Sequence, residues 1–573
     1  MTVKRTYSKR ALAAGAAALL AAGIAACSSS GSSTPSSSSQ SGSSSSQSEL
    51  VMESSPENSL ADNFNPFAAA APIPGMGATG LVYEPLYEFD LANPSHAPYP
   101  WLATAYQWSN GGKSITFTIR QGVKWNNGTP FTAADVAFTF NYIKQYATSK
   151  ANDINLGGLN ISSVTQSGNT VTLNFPSPQY MKFEDIAGQA ILPKSVWSSV
   201  TDPATFNDPN PVGTGPYVLG NYTPEGFTMV KNKYYWQPVP VAKVYFPDYT
   251  TNSAAQTALF GGQIDWTGNY IPNLQQDFVS KNPSTNHYYE GADSSNALYP
   301  NLKQWPTNQL AVRQAIDVAI NRTAIDTQGE SGLEVPVLNA SGITQPAFSA
   351  WLAPSLASDN LPATGSASQA ANILTKAGYK KDSAGYFALN GREVDVAITT
   401  PGSYSDYAND VSLAVNELQA AGIKASFDNV SVNAYNADAQ DGSFQLLLRW
   451  GSGGITPYNL YDGWLDPSLI GTGGGNYERL NNPTITAELN KLNGAQTVAQ
   501  QTADLMPIEQ SVAQQLPVIP TTVSAEWCEY SSAHFTGWPT QSNPYQSCQP
   551  SGLNNGPGSG TDEYVLLHLK PVS

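Results

Sequence analysis

The chain of 573 residues carries 43 Asp and Glu against 27 Lys and Arg, a formal charge of −16 that disfavours nucleic acid as a partner. Hydrophobic residues make up 41% and charged residues only 12%, below the roughly 25% of ordinary domains, which excludes disorder and leaves uncharged polar and aromatic surface dominant. The length exceeds what one core ordinarily serves and implies two or three lobes.

Lys4, Arg5, Lys9 and Arg10 precede sixteen uncharged residues, 11–26. A run shorter than the roughly 20 residues of a spanning helix, with a basic flank, is an export signal that should be cut off. Ile24, Ala25, Ala26 and Cys27 resemble the bacterial lipobox. That resemblance implies cleavage before Cys27 and a diacylglycerol on its sulfur. Loss of residues 1–26, with four basic residues and no acid, takes the net charge from −16 to −20. Residues 28–48 are serine-rich, with no apolar side chain to build a core, and read as a tether with a root-mean-square span of about 25 Å.

Residues 115–119 alternate as a half-buried strand, and Asn127-Gly128 supplies a turn. Thr132 with Asp135 three residues on has the form of a capping box, opening a helix that places Val136, Phe140 and Ile143 on one face. Residues 161–165 and 171–175 flank the turn signal Ser167-Gly168-Asn169 as a hairpin, so this region is α+β. Further on, 244–246 reads as strand, 253–260 as helix, Gly261-Gly262 as a stop and 264–266 as strand. Residues 310–321 form a helix with Val312, Ile316 and Ile320 inward. The strand-helix-strand unit recurs at 394–398, 407–421 with Gly422 as C-cap, and 423–427, and 444–448 adds a strand. Two crossover units imply two open α/β lobes with a ligand cleft between them.

With Cys27 assigned to lipid, Cys528 and Cys548 remain as an even pair expected to form a disulfide; two free thiols are the alternative. A loop of about 21 residues would contribute roughly 3 kcal/mol by restricting the unfolded chain. Neither HExxH nor CxxC occurs, and the four histidines, His96, His287, His534 and His568, are far apart in the chain, so no catalytic site, metal site or cofactor is expected. Gly75 to Gly80 spells GxGxxG but lacks the strand before and helix after that a dinucleotide site requires, and Gly112-Lys113-Ser114 lacks the first glycine of a phosphate loop.

The segment WLATAYQWSNGGKSITFTIRQGVKWNNGTPFTAADVAFTFNYI from Trp101 resembles the signature of family 5 ABC-importer solute-binding proteins. Three further stretches are similar to that family in the same order: PVGTGPYVLGNY from Pro211 with KNKYYW from Lys231, ALFGGQID from Ala258, and AVRQAIDVAINRTAI from Ala311. The resemblance implies an α/β fold of the periplasmic-binding-protein type II, a bilobal Venus flytrap with an extra α+β domain. It places the signal at 1–26, the lipidated Cys27 and tether at 27–49, lobe I at 50–84, 211–300 and 530–573, the extra domain at 85–210 and lobe III at 301–529. The implied function is the substrate-binding component of an ABC importer. It would be a monomer held at the cell membrane only by lipid on Cys27, delivering a peptide-type oligomeric solute to permease subunits and their ATPases. A sensor passing its ligand state to a membrane receptor uses the same fold, and a secreted hydrolase is the rival from another class.

Peptide-binding members of that family place acids after a tryptophan ending a lobe III strand. Here Trp450 is followed by Gly451, Ser452, Gly453, Gly454, Ile455, Thr456, Pro457, Tyr458 and Asn459, with no acid before Asp462. An unpaired buried ammonium costs several kcal/mol, so the expectation is a ligand with an uncharged end, or an internal peptide segment. Aromatic faces near an amide and glycine backbone also suit a neutral oligosaccharide. The candidate ligand contacts are Trp450, Ser452, Gly453, Thr456, Tyr458, Asn459, Tyr461 and Trp464, with simple packing as the alternative for the aromatic ones.

Overall fold

The computed structural model describes residues 49–54, 60–67, 76–147, 159–289, 291–345, 347–358, 360–550 and 561–572. The expectations for the signal, Cys27 and the serine-rich tether lie outside the described residues.

Two mixed sheets organise the chain. The first has seven strands in the order Asn286–Tyr288, Glu529–Ser531, Trp266–Thr267, Glu49–Glu53, Lys243–Pro247, Gly226–Lys231 and Tyr217–Thr223. Glu49–Glu53 runs parallel to Lys243–Pro247, with Leu50 opposite Val244, and parallel to Trp266–Thr267, with Met52 opposite Trp266. The crossover between its two parallel neighbours is the helix Asn252–Phe260, capped by the Thr251 hydroxyl, which accepts from the Ala254 amide. Parallel strands need such a crossover, and the short Ala-rich helix supplies it with Ala255, Ala258 and Leu259 inward.

The second sheet has six strands in the order Val335–Pro336, Ile519–Glu526, Gly291–Pro300, Leu446–Trp450, Asp395–Pro401 and Lys424–Val430. Asp395–Pro401 is parallel to both of its neighbours. The helix Ser405–Ala421 makes the crossover and buries Tyr407, Val411, Ala414 and Leu418 at helical spacing. It stops at Gly422, whose φ of 88° is the left-handed conformation a glycine adopts without a Cβ clash.

One expected boundary differs. Residues 291–300, assigned to lobe I from the sequence, pair instead with Leu446–Trp450 and Ile519–Glu526 in the second sheet. The chain thus leaves the first sheet after Tyr288 and enters the second at Gly291, and it returns between Glu526 and Glu529. The two crossing segments run side by side: Gly291 is opposite Glu526, and the Tyr289 amide donates to the Cys528 carbonyl at 3.0 Å. These paired segments connect the two sheets. Cys528 sits on the crossing and is bonded to Cys548, with Cα atoms 5.5 Å apart, and both are fully buried.

The extra α+β element is a four-stranded antiparallel sheet, ordered Ala103–Ser109, Ser114–Ile119, Thr170–Asn174 and Ser163–Ser167. The helix Ala133–Gln145 packs on it through Val136, Phe140 and Ile143, against Ile115, Phe117, Val171 and Leu173. Its capping box is formed: the Thr132 amide donates to Asp135 Oδ2 at 2.9 Å and the Thr132 hydroxyl accepts from the helix. The strand expected at 161–165 begins two residues later, at Ser163, because Ile161 turns its side chain into the core ahead of the ladder.

Candidate functional site

Strand Leu446–Trp450 ends at Trp450, opposite Asn296. The half-buried Trp450 ring lies among aromatic neighbours, 6.4 Å from Tyr407 and 6.3 Å from Tyr435 between centroids, with the Arg449 guanidinium 4.2 Å over its face. Ser452 and Thr456 are half-buried and Gly453 is buried. Thr456 precedes the helix Pro457–Leu465, with Pro457 in the first turn, where its missing N–H costs nothing.

The other expected contacts point elsewhere. Tyr458, Tyr461 and Trp464 are buried within the core of the second lobe, and their polar atoms are engaged: Tyr458 Oη donates to Asp462 Oδ1 at 2.8 Å, Tyr461 Oη to the Ser341 carbonyl at 3.0 Å, and Trp464 Nε1 to Tyr299 Oη at 2.9 Å. Buried aromatics with satisfied polar tips belong to packing, so the packing alternative describes these three better than a place on the cleft wall. Asn459 Nδ2 donates to Glu184 Oε2 at 3.1 Å, and the Ile455 amide donates to the same oxygen at 3.1 Å. Beside them Lys182 Nζ meets Asp462 at 3.0 Å and Asp466 at 3.7 Å. Burial pulls the Lys182 ammonium down, yet Asp462, Asp466 and Asp185 together hold it above the usual lysine value. This stretch therefore docks the extra domain on the second lobe.

The residues that sequence reasoning missed are acidic and come from other segments near Tyr407, whose ring neighbours Trp450. Asn296 is the cross-strand partner of Trp450. Its amide nitrogen donates to both Glu334 oxygens, at 3.0 and 3.1 Å, while its oxygen accepts from Tyr407 Oη at 2.8 Å. Next to Tyr407 stands Asp406, in the first turn of the helix after strand Asp395–Pro401, and Asp410 follows one turn on. Asp410 meets the 325–329 segment so closely that a Cβ on Gly329 would fall 1.8 Å from its Oδ1. Burial pushes Glu334 up to about 8 and Asp406 up to about 6. Burial pushes Glu330 and Asp410 well above the carboxylate range; the two hydrogen-bond each other, which holds Asp410 back, while the charges of the neighbouring acids push both further up.

The first lobe reaches the same place. Tyr270 Oη donates to the Gly329 carbonyl at 2.8 Å and lies 2.8 Å from Ser331 Oγ. Glu53, the last residue of its strand, accepts from Thr267 Oγ1 at 2.6 Å and from Asn269 Nδ2, and burial pushes it up to about 7. Glu529, on the neighbouring strand pair, is raised well above the carboxylate range by burial. In open α/β sheets a ligand sits outside the carboxyl ends of the strands, and here those ends carry acids in both lobes. A faint signal was legible: Glu330 with Glu334, and Asp406 with Asp410, are acids four residues apart in a chain where charge is scarce.

Two open sheets joined by a pair of crossing strands define a bilobal α/β protein of the periplasmic-binding-protein type II fold. The chain belongs to the bacterial extracellular solute-binding proteins, family 5, whose model matches residues 97–471. It is 28% identical to protein XP55 of Streptomyces lividans over 398 residues, covering 68% of this chain and 69% of that protein. It is 26% identical to the nickel-binding periplasmic protein of Escherichia coli K12 over 397 residues, covering 66% and 71%. A periplasmic oligopeptide-binding protein of Thermotoga maritima, solved with mannohexaose bound, superposes with a TM-score of 0.82 at 23% identity, covering 92% of this chain and 99% of that one.

Proposed function

We propose that this protein is the substrate-binding component of an ABC importer. It is held outside the cell by a lipid on Cys27, captures an oligomeric solute of the oligopeptide type, and presents it to permease subunits driven by ATPases. The observation that carries this reading is the pair of crossing strands that joins two open sheets, with Tyr270 meeting Gly329 across them. A ligand touching both walls is held best when the lobes are closed, so binding shifts the population toward the form a permease can recognise. The protein consumes no ATP itself and performs no chemistry on its cargo.

The histidines are consistent with a binding role: His96 pairs with Asp90 and His534 with Asp265 at the surface, each at 2.7 Å, while His287 faces Ser532 at 2.9 Å. A second reading, capture of a neutral oligosaccharide, is favoured by the mannohexaose held in the Thermotoga maritima relative. The test is a thermal-shift screen of the mature chain against di- and oligopeptides and against cello-, xylo-, malto- and manno-oligosaccharides. A ligand at 100 times its Kd stabilises by about 2.7 kcal/mol, so a true cargo raises Tm while the others do not. Hydrolysis of any of these compounds by the pure protein would overturn the reading in favour of an enzyme.

A further inference from the structure

The two segments that cross between the sheets are held unequally. Glu526, where the returning segment leaves the second sheet, is buried, and its Oε1 accepts from Ser547 Oγ at 2.8 Å, from the Gln549 amide at 3.1 Å and from the Cys548 amide. The Trp527 amide donates to Gln549 Oε1 at 3.3 Å, and Cys528 is bonded to Cys548. Each residue of 526–528 is thus tied to 547–549. That second segment belongs to the first lobe: the Cys548 carbonyl accepts from Trp266 Nε1 at 2.7 Å, and both cysteines share an apolar core with Leu50, Met52 and Trp266.

The outgoing segment runs beside this post. The Tyr289 amide donates to the Cys528 carbonyl at 3.0 Å, and Gly291 lies opposite Glu526. A Cβ on Gly291 would fall 1.9 Å from Glu526 Oε2, so the glycine leaves the space that this carboxyl occupies. Directly beyond, on the second-lobe side, the ladder between Gly291–Pro300 and Ile519–Glu526 slips twice, between Ala292 and Ser295 and again between Asn296 and Ala297. The first slip inserts one residue into the outgoing strand and the second inserts one into its partner. A bulge interrupts the ladder and bends the strand, so the stretch next to the post is the one already broken. Bending at 526–528 would instead strip a buried carboxyl of three donors and leave those donors unpaired.

We propose that Glu526 and the Cys528–Cys548 bridge form a brace that makes 526–528 a fixed part of the first lobe, so that reorientation of the second lobe is taken up in the bulged stretch 292–297. Its use rests on the solute-binding reading, in which one lobe swings against the other around a solute. Glu526 is then a positioning residue: it sets the point about which the second lobe turns. The bridge does more than restrict the unfolded chain, because it decides which part of the crossing stays rigid.

The test uses the ligand-free mature protein. Hydrogen exchange read by mass spectrometry at pH 7.5 should show 526–528 and 547–549 exchanging about ten-fold or more slowly than 292–296. Equal rates overturn the pivot. Cys528→Ser with Cys548→Ser, and separately Glu526→Ala, should raise exchange in 526–528 and 547–549 about ten-fold while strand Lys243–Pro247 stays as protected as before. Small-angle X-ray scattering adds a readout that a loss of stability alone does not move. With melting still cooperative and above the assay temperature, either variant should widen the range of lobe orientations and enlarge the radius of gyration by about 1 Å. Unchanged exchange overturns the brace, and faster exchange with an unchanged radius reduces it to an ordinary staple and overturns the proposal too. If Glu526→Ala melts below the assay temperature, the cysteine variant and the exchange pattern of the unmodified protein decide. No solute enters these measurements, so their failure leaves the solute-binding reading to the ligand screen.

Discussion

Replacing Lys182 by methionine is the sharpest perturbation of the assembly, because one buried cation joins two parts of the molecule 280 residues apart in sequence. Lys182 and Asp462 are both nearly inaccessible, 3% and 6% exposed, and the ammonium also lies 5.9 Å from the Tyr458 ring centre. Removing one member of a buried ion pair typically costs about 3 to 5 kcal/mol, since the other charge is left in low dielectric. Here the lower end applies: Asp462 keeps the Tyr458 hydroxyl at 2.8 Å, and Asp466, the more exposed partner, can rehydrate. We expect Lys182→Met to lose about 3 kcal/mol at pH 7.5, read from the urea midpoint by tryptophan fluorescence. Burial already raises the Asp462 pKa against the pull of Lys182, so without the cation it rises further and the carboxyl takes up a proton earlier as pH falls. The loss should therefore be smaller at pH 5 than at pH 7.5. The double variant Lys182→Met with Asp462→Asn should recover more than half of it. A single-variant loss under about 1 kcal/mol that adds simply to that of Asp462→Asn would refute the claim that this pair docks the extra domain.

Four other outcomes follow from the same geometry. The buried carboxyls Glu53 and Glu526, both raised to about 7, and Glu334, raised to about 8, hold protons more tightly folded than unfolded. Their contribution is therefore lost as pH climbs from about 4.5 through those values, about 2 kcal/mol between pH 5 and 7 for one group at 7; the ligand-free protein should melt higher at pH 5 than at pH 8, and the reverse order would contradict the cause given. Cys528→Ser with Cys548→Ser should cost about 3 kcal/mol, the loop entropy of a bridge between residues 20 apart, measured as a fall in Tm. Trp450→Ala should weaken ligand binding by calorimetry while leaving the melting profile cooperative, because the ring is half-buried at the end of its strand. Cys27→Ser should move the protein from the membrane fraction to the medium with ligand affinity unchanged; retention on the membrane would remove the lipid anchor from the account.

What the sequence disclosed of the fold was what local physics encodes. The capping box at Thr132, the left-handed stop at Gly422 and the apolar stripe of Ser405–Ala421 are decided within a few residues, and the structure forms each of them. The crossing strand Gly291–Pro300 was misassigned for an equally physical reason. Its register slips twice against Ile519–Glu526, so no single alternation runs through it, and the sheet it joins is chosen by partners about 150 and more than 200 residues away. A period-2 pattern carries no label for which sheet it will enter.

The site shows the same division more strongly. Trp450 could be singled out because it ends an apolar strand before a glycine-rich turn, but Tyr461 and Trp464, equally aromatic and only a few residues on, turn into the core. Helical periodicity can say which residues share a face; it cannot say whether that face meets a cleft or a neighbouring helix. The acids were harder still. Four-residue spacing on a helix ordinarily marks a solvated surface, and Asp406 with Asp410 has that form. Only the tertiary arrangement removes them from water and places Glu330 and Glu334 against them, and no ion pair among the described residues involves any of the four. In a chain with only 12% charged residues, uncompensated carboxyls gathered at one wall are the least expected use of charge.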